Sequence, residues 1–537
     1  MSPKHVVATL LALVATPLVA MDSHIVGPRA LGLGGAGTAA ADDHTASYYN
    51  PAIYGFFSRT GEKDAKLDAD PNYIGRKDWG IGLADATVSV EVRGRLADSI
   101  EQLSGTDFGK LSDLGSATSK PEDLQAAVTA MTLLQTFDAK TDNALVLANV
   151  GVLNTRILHV GFGVRQFAEG LVSIADLDRA NLGFGTSLPG GSITQGIIDT
   201  AQATGLSATY TPTLITAGST AYITLTDILS GYTGSVDDAI AAIDKAAVEA
   251  GITQADIDKI IGDSSVPGAL GVLGQALSAT GLIEDNQTAI LTGGYTVTEI
   301  PLTVGVALND YLSVGGNAKL MIGKVAAAKA RLVDQVDKLA DLMQDSFAEA
   351  EQTVTGGIDL GFAARCSWAQ VGLSARNLNR PVLKGGSFKD ADGQAFTVAD
   401  VTLEPQLSLG VALYPFETVV LTADIDVLEN KTTYSSTSQR TGALMNGIDR
   451  DLKVEYATQR VGGGLEWNIA RFLALRGGYS MDLAETETGG MIHAGLGLNL
   501  WALRFDLAGA VATKTIEVDG QDMPRAASVS AGLTIDF

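Results

Sequence analysis

Charged and polar side chains recur at alternate positions in the C-terminal half of the chain, and that spacing limits the chemistry open to them. Glu404, Gln406, Asp424, Asp426, Glu466, Arg476, Asp482, His493, Arg504, Asp506 and Asp536 fall on one face of alternating segments. Successive side chains of an extended strand point to opposite sides, so these residues share a single enclosed surface. Two pairs stand two residues apart, Asp424 with Asp426 and Arg504 with Asp506. Charges of both signs on such a face can tie strands to each other and to a filling segment. They can also set the selectivity of an ion or solute path. Asp424, Asp426, Glu466, Arg476, Arg504 and Asp506 are the candidate lumen charges under either reading.

Residue types suited to catalysis are present without the spacing that catalysis needs. None of the five histidines, His5, His24, His44, His159 and His493, lies at metal-ligand spacing from another. Glycine-flanked serine elbows and zinc motifs are absent. The single cysteine, Cys366, allows no internal disulfide and has no histidine near it in sequence. No enzymatic activity, cofactor or metal is expected. A net charge of -24 argues against nucleic acid, because phosphate contacts need clustered Lys and Arg. Gly32, Gly34 and Gly37 match a dinucleotide fingerprint in form. The match fails on context, because that motif needs a buried strand before it and a βαβ unit around it. Here it runs into Tyr48-Tyr49-Asn50-Pro51, and Asn-Pro is a turn signal. The small residues around it allow close packing against other backbone, as in a segment that fills a bore.

The elements that position these residues are strands. In the last segment Ala527, Val529, Ala531, Leu533, Ile535 and Phe537 alternate with Ser528, Ser530, Gly532, Thr534 and Asp536. The segment from Glu417 repeats the pattern, with Val419, Leu421, Ala423 and Ile425 against Thr422, Asp424 and Asp426. Such alternation requires two different environments on the two faces of a sheet. At the other end of the chain, Lys4 and His5 precede an apolar run from Val6 to Ala20, which reads as a secretory signal peptide over residues 1–20. No later segment resembles a spanning helix; Val266 to Ile283 is interrupted by Gln275, Ser278 and Thr280. An exported chain without such helices can span a membrane only as a closed barrel.

About fourteen segments carry the strand pattern. They are Trp79–Arg93, Asn143–Asn154, Arg156–Ile174, Thr292–Leu308, Tyr311–Ile322, Gln352–Arg365, Trp368–Asn379, Val401–Tyr414, Phe416–Leu428, Leu452–Asn468, Arg471–Leu483, Met491–Leu500, Ala502–Ile516 and Arg525–Phe537. Their connections alternate short and long. Short ones fall around Thr155, Asn309-Asp310, Ser367, Pro415, Ile469-Ala470 and Trp501, whereas Ala175–Leu291 and Glu429–Asp451 are among the long ones. Outer-membrane barrels have this asymmetry, with short periplasmic turns and longer outer loops. Three long loops read as helical insertions, at 96–140, 176–290 and 324–351. Pro121 suits a first helical position. Ser235 with Asp238, and Thr253 with Asp256, open two further helices. Val325, Leu332, Val336, Leu339, Met343 and Phe347 follow helical spacing.

The stretch from Leu31-Gly32 through Asp42-Asp43 to Asn50-Pro51-Ala52 resembles the N-terminal signature of the outer-membrane long-chain fatty-acid transporter (FadL) superfamily. Arg29-Ala30 with Gly32, Gly34, Gly35, Ala36 and Gly37 is more similar to the TraF-like outer-membrane proteins. So is Val371-Gly372-Leu373-Ser374-Ala375-Arg376-Asn377-Leu378. The resemblance implies an all-β membrane protein: a 14-stranded antiparallel outer-membrane barrel, plugged by an N-terminal hatch over residues 21–75, with the barrel over 76–537. It implies that Asn50, Pro51 and Ala52 are plug residues, and that hydrophobic molecules are admitted from outside. The long helical insertions depart from the transporter pattern. Two functions follow as expectations. One is diffusion of hydrophobic or amphipathic small molecules across the outer membrane. The other is a barrel anchor that displays a helical outer cap for surface contact, conjugation or secretion and transports nothing. Expected partners are outer-membrane lipid, a hydrophobic small molecule, and the periplasmic chaperones and barrel-assembly machinery that would read the C-terminal strand ending at Phe537.

Overall fold

The computed structural model describes residues 24–57, 79–93, 144–175, 203–219, 222–223, 226, 235–249, 288–331, 335, 338–416, 418–438, 450–469, 472–500, 502–518 and 521–536. Fourteen antiparallel strands close into one barrel. In chain order they are Trp79–Arg93, Ala144–Ile157, Val160–Ala175, Ala289–Ala307, Leu312–Arg331, Gln352–Arg365, Ala369–Arg376, Gln406–Phe416, Val419–Asp426, Arg460–Ile469, Leu473–Asp482, Met491–Leu500, Leu503–Ala512 and Ala526–Asp536. The last strand pairs back on the first, from Gly80 opposite Asp536 to Glu91 opposite Ala526, so the barrel has no free edge.

The alternation read from sequence is the alternation of the wall. Val529 is 60% exposed and Leu360 54%, while Arg165, Glu299 and Asp359 are fully buried. So much exposed aliphatic surface would be a liability in water, and it suits a wall facing lipid hydrocarbon. Trp79, Trp368, Phe416, Trp467 and Phe472 stand exposed near the end of the barrel where the connections are short. That is the position of an interfacial aromatic girdle. The short connections fall at 158–159, 308–311, 366–368, 417–418, 470–472 and 501–502, and every long one is at the opposite end.

Several local readings change. Lys324 to Arg331, expected to begin a helix, continues the fifth strand. It pairs with Ala289 to Thr296. An Ala-rich run favours helix by propensity, but here a continuous ladder and burial on both faces override it. Among the described residues of this stretch, α-helix runs over Leu339–Glu349. The single strand expected over Leu452–Asn468 is two. Arg450–Thr458 belongs to a four-stranded sheet outside the barrel, with Asn430–Ser438, Ala395–Val398 and Ser387–Lys389, and Arg460–Ile469 belongs to the wall. Between them, the Gln459 amide N–H donates to Asp482 and its side chain donates to the Asp426 carbonyl. The turn expected near Thr155 lies at Leu158, which adopts a left-handed φ of 50°. A helix runs over Val236–Glu249, and Ser235 Oγ accepts the Asp238 N–H at 3.2 Å. The segment 1–20, the helices expected from Pro121 and Thr253, and Phe537 lie outside the described residues.

Residues 24–57 fold inside the barrel as two short helices, Pro28–Gly32 and Ala46–Tyr49, and a 3-10 turn, Pro51–Phe56. Glycine on both sides makes the fit possible. Gly34 takes a φ of 72°, and a Cβ there would lie 2.6 Å from the Gly463 carbonyl oxygen. Gly372 leaves its inner face open for the Thr38 carbonyl. Replacing Gly372 with Val should therefore lift this segment off the wall, at a cost of about 1–3 kcal/mol. The expected readouts are a lower thermal midpoint and new tryptic cleavage at Arg29. A variant as stable and as protease-resistant as the parent would contradict that packing.

Candidate functional site: the plug and the lining of the bore

Three guanidinium groups and four carboxylates join the internal segment to the wall in a closed circuit. Arg29 spans Glu466 with two hydrogen bonds, Nε to Oε2 at 2.8 Å and Nη2 to Oε1 at 3.1 Å. Its Nη1 donates to Asp42 at 3.1 Å and to the Ala40 carbonyl at 2.5 Å. Glu466 also accepts from Arg476 Nε at 2.6 Å, and Arg476 Nη1 donates to Asp506 at 2.5 Å. Asp506 lies 3.1 Å from Arg504 Nε. Arg504 then reaches back to Asp43 and Asp42, which closes the circuit. Each guanidinium touches at least two carboxylates, the condition under which buried ions repay their desolvation. Burial opposes ionisation of Asp43, but the Arg504 guanidinium, His44 and the hydrogen bonds from Thr45 together outweigh it and hold the carboxyl well below the usual range.

Of the six lumen charges expected from sequence, Glu466, Arg476, Arg504 and Asp506 come together in this circuit. Asp424 and Asp426 do not. Asp424 Oδ2 accepts the backbone N–H groups of Gly37 and Thr38, at 2.8 and 2.6 Å. Asp426 accepts from Ser408 Oγ at 2.8 Å and from the Arg460 N–H at 3.2 Å. Asn50 is fully buried; its Nδ2 donates to the Thr38 and Phe362 carbonyls and its Oδ1 caps the 3-10 turn at Ala52. Pro51 opens that turn, and the Ala52 carbonyl accepts from Ser313 Oγ at 2.6 Å. His44 Nε2 lies 2.6 Å from Asp85 on the first strand.

A second buried cluster escaped the sequence reading. Lys319 Nζ lies 3.0 Å from both Glu299 and Asp359, and Glu299 also faces Arg165 at 3.6 Å and Arg376 at 3.7 Å. The Tyr48 ring lies between two of these cations, 3.8 Å from the Arg376 guanidinium and 5.5 Å from that of Arg165. The signal was available: Glu299, Lys319 and Asp359 occupy inward positions of strands already recognised. Asp42, Asp43 and Arg29 were noticed only as parts of a motif. Among the described residues, no group of three or more His, Cys, Asp or Glu side chains is placed to hold a metal ion.

Two further features occupy the bore. One apolar cluster spans its height, from Tyr54 and Phe56 beside the short turns, through Phe167, Leu171 and Met321, to Leu339 and Leu383 at the long-loop end. Separately, a cleft of about 60 Å³ lies between Tyr48, Tyr49 and Thr38 on one side and Ser374, Arg376 and Asp424 on the other.

The family model described as "F plasmid transfer operon, TraF, protein" matches residues 47–426. No curated protein matches the chain in sequence. Solved structures of similar course include the Ralstonia pickettii toluene transporter TbuX, 13% identical over 95% of this chain and 98% of that one, with a TM-score of 0.41. A Pseudomonas aeruginosa FadL homologue is 10% identical over 97% and 100%, with a TM-score of 0.44. The Pseudomonas putida toluene transporter TodX is 12% identical over 97% and 98%, with a TM-score of 0.40. At these values the likeness concerns the barrel and carries nothing about a ligand.

Two outcomes follow from the ionic contacts. Glu466→Gln leaves Arg29 and Arg476 without their shared anion and should cost about 3–5 kcal/mol, read as a fall in unfolding temperature in detergent. An unchanged midpoint would mean that the circuit does not hold the plug. Burial opposes protonation of His44, but Asp85, with Asp43 and Asp536 near it, outweighs burial and raises the imidazole above its usual 6.5. A group raised in the folded state stabilises it below the unfolded value, and that stability is lost as pH rises through the folded value. Thermal stability should therefore decline as pH rises above about 6.5, and His44→Gln should flatten that part of the profile.

Proposed function

We infer the function from two premises: the chain belongs to the F plasmid transfer operon TraF protein family, and the bore of its barrel is filled by residues 24–57. The reading they support best is a plugged outer-membrane barrel that passes hydrophobic or amphipathic small molecules by diffusion. The observation that carries it is the apolar cluster running the height of the bore. A barrel wall needs no such interior, because its stability comes from the ladder and from contact with lipid, and barrel interiors are ordinarily polar. An apolar column beside an ionic latch gives a solute without charge a favourable path along one side of a bore sealed to ions. On this reading residues 1–20 direct export, residues 21–75 include the plug, and the long loops face outward.

The second reading, a barrel that displays an outer cap for contact with a partner, draws on the four-stranded sheet and the helices at the long-loop end. One set of measurements separates the two. Planar bilayers containing the intact protein should show no ionic conductance, and removal of residues 22–60 should open a conducting pore. Cells carrying the intact protein should take up a hydrophobic fluorophore faster than cells without it, and deletion of residues 176–290 should leave that gain in place. Silence in both bilayer forms, together with uptake indifferent to the protein, would overturn transport and leave display as the function.

A further inference from the structure

The cleft beside Tyr48 contains hydrogen-bonding groups that the ionic circuit does not use. Its wall is built from three inward rows in register across neighbouring strands. Nearest the short turns, Gly372, Gly410, Asp424 and Gly462 lie opposite one another. Ser374, Ser408 and Asp426 form the next row, and Arg376 faces Gln406 in the third. The glycines let the backbone around Thr38 approach the wall, and the space beyond it, at the level of the second and third rows, stays open. At ~10–15 Å³ for each water, 60 Å³ holds about five.

Most polar groups around this space are engaged. Asp426 is held by Ser408 and Arg460, and Asp424 Oδ2 by two plug amides. Three are not. Ser374, 2% exposed, has no partner for Oγ. Arg376, 6% exposed, donates from Nη1 to Gln406 at 3.3 Å; its Nε and Nη2 make no hydrogen bond, although Nη2 faces Glu299 at 3.7 Å and the guanidinium lies over the Tyr48 ring. Asp424 Oδ1 has no partner either. The barrel wall of the cleft thus offers both donors and a carboxylate acceptor, facing Tyr48 and Tyr49 of the plug. Tyr48, Tyr49 and Ile25, which also line it, belong to or pack against the apolar cluster of the bore.

We propose that this cleft seats the uncharged head group of an amphipathic molecule, a primary alcohol or primary amide, with its alkyl part lying along Tyr48 and Ile25. The head-group oxygen accepts from Arg376 or Ser374, and its O–H or N–H donates to Asp424 Oδ1. A carboxylate has no proton to donate. It would face Asp424 and Asp426 together, and the cation it would need, Arg376, is already opposed by Glu299 at 3.7 Å. An alkylammonium would satisfy Asp424 but would meet the Arg376 guanidinium with no acceptor of its own. The proposal rests on the transport reading only for the source of its ligand; the binding chemistry stands on the cleft.

The test is calorimetric titration of the full-length protein in lipid nanodiscs, against protein-free discs, with octan-1-ol, octanamide, octanoate and octylamine. The alcohol and the amide should bind at least about tenfold tighter than octanoate, the scale of one unmet buried polar group. In Asp424→Asn the plug amides can keep an oxygen acceptor while the free acceptor becomes a donor. The alcohol-to-octanoate ratio should then fall by about tenfold. Ser374→Ala touches no plug contact and should weaken octan-1-ol several-fold with the unfolding temperature unchanged. Octanoate as the tightest ligand, a ratio indifferent to both variants, or no binding by any of the four would overturn the proposal. Fluorophore uptake that persists through such a failure would leave transport standing. Selective binding without uptake would sink transport and leave the head-group site.

Discussion

The circuit of Arg29, Asp42, Arg504, Asp506, Arg476 and Glu466 is the constraint on which the rest of the bore depends. A wall that alternates strictly must put something inward at every second residue, and beneath an apolar exterior that something is polar. Charges left there unopposed would draw water through the barrel or force the wall apart. The wall charges Glu466, Arg476, Asp506 and Arg504 balance in a row, and the N-terminal segment closes that row by giving Glu466 a second cation in Arg29 and Arg504 further carboxylates in Asp42 and Asp43. Filling the bore and closing this circuit are therefore a single event. The glycines of the plug and the wall follow from the same need, since ions at 2.5–3.1 Å require backbones that nearly touch.

The bore is divided lengthwise. On the side of strands ten to thirteen, the filling is ionic and closed. On the side of strands two to six, aromatic and aliphatic residues surround the second ionic cluster, of Lys319, Glu299, Asp359 and Arg165, and extend past the plug to the helix Leu339–Glu349. Tyr48 stands at the boundary, with its ring between Arg376 and Arg165 and its hydroxyl donating to the His24 carbonyl. One face of the plug is thus ionic and another apolar, and the small cleft beside Tyr48 sits where the two kinds of surface meet.

The wall was legible because its physics is local and repetitive. Two environments on two faces impose a period of two, and that period marks the strands wherever one face meets lipid, though not at the buried ends of the fourth and fifth. Lys324 to Arg331 misled because Val325 falls at helical spacing with Leu332, Val336 and Leu339, and only pairing with Ala289 to Thr296, far away in sequence, makes the segment a strand. Arg450–Thr458 misled for the opposite reason: its alternation is genuine but serves a sheet outside the barrel, and nothing local distinguishes the two uses. Within the site, inward charges could be assigned by parity, as for Glu466 and Arg504. Their partners could not, because a partner depends on which wall each part of the plug reaches. Arg29 and Glu466 are 437 positions apart.

That separation bears on how the molecule is made. Translation delivers the plug first, and the strands that hold its charges come last, together with the strand that pairs back onto the first. Until then Arg29 lacks Glu466, Asp43 lacks Arg504, and the first strand has an open edge. Contacts this distant pay their loop-closure entropy late. The two ends of the chain must therefore wait for each other, and sealing of the wall and seating of its contents become one cooperative step. Assembly of this barrel is then self-checking: a copy that closes without its N-terminal segment inside leaves Glu466 and Arg504 with one partner each, and so carries in its own lower stability the mark of having been built wrongly.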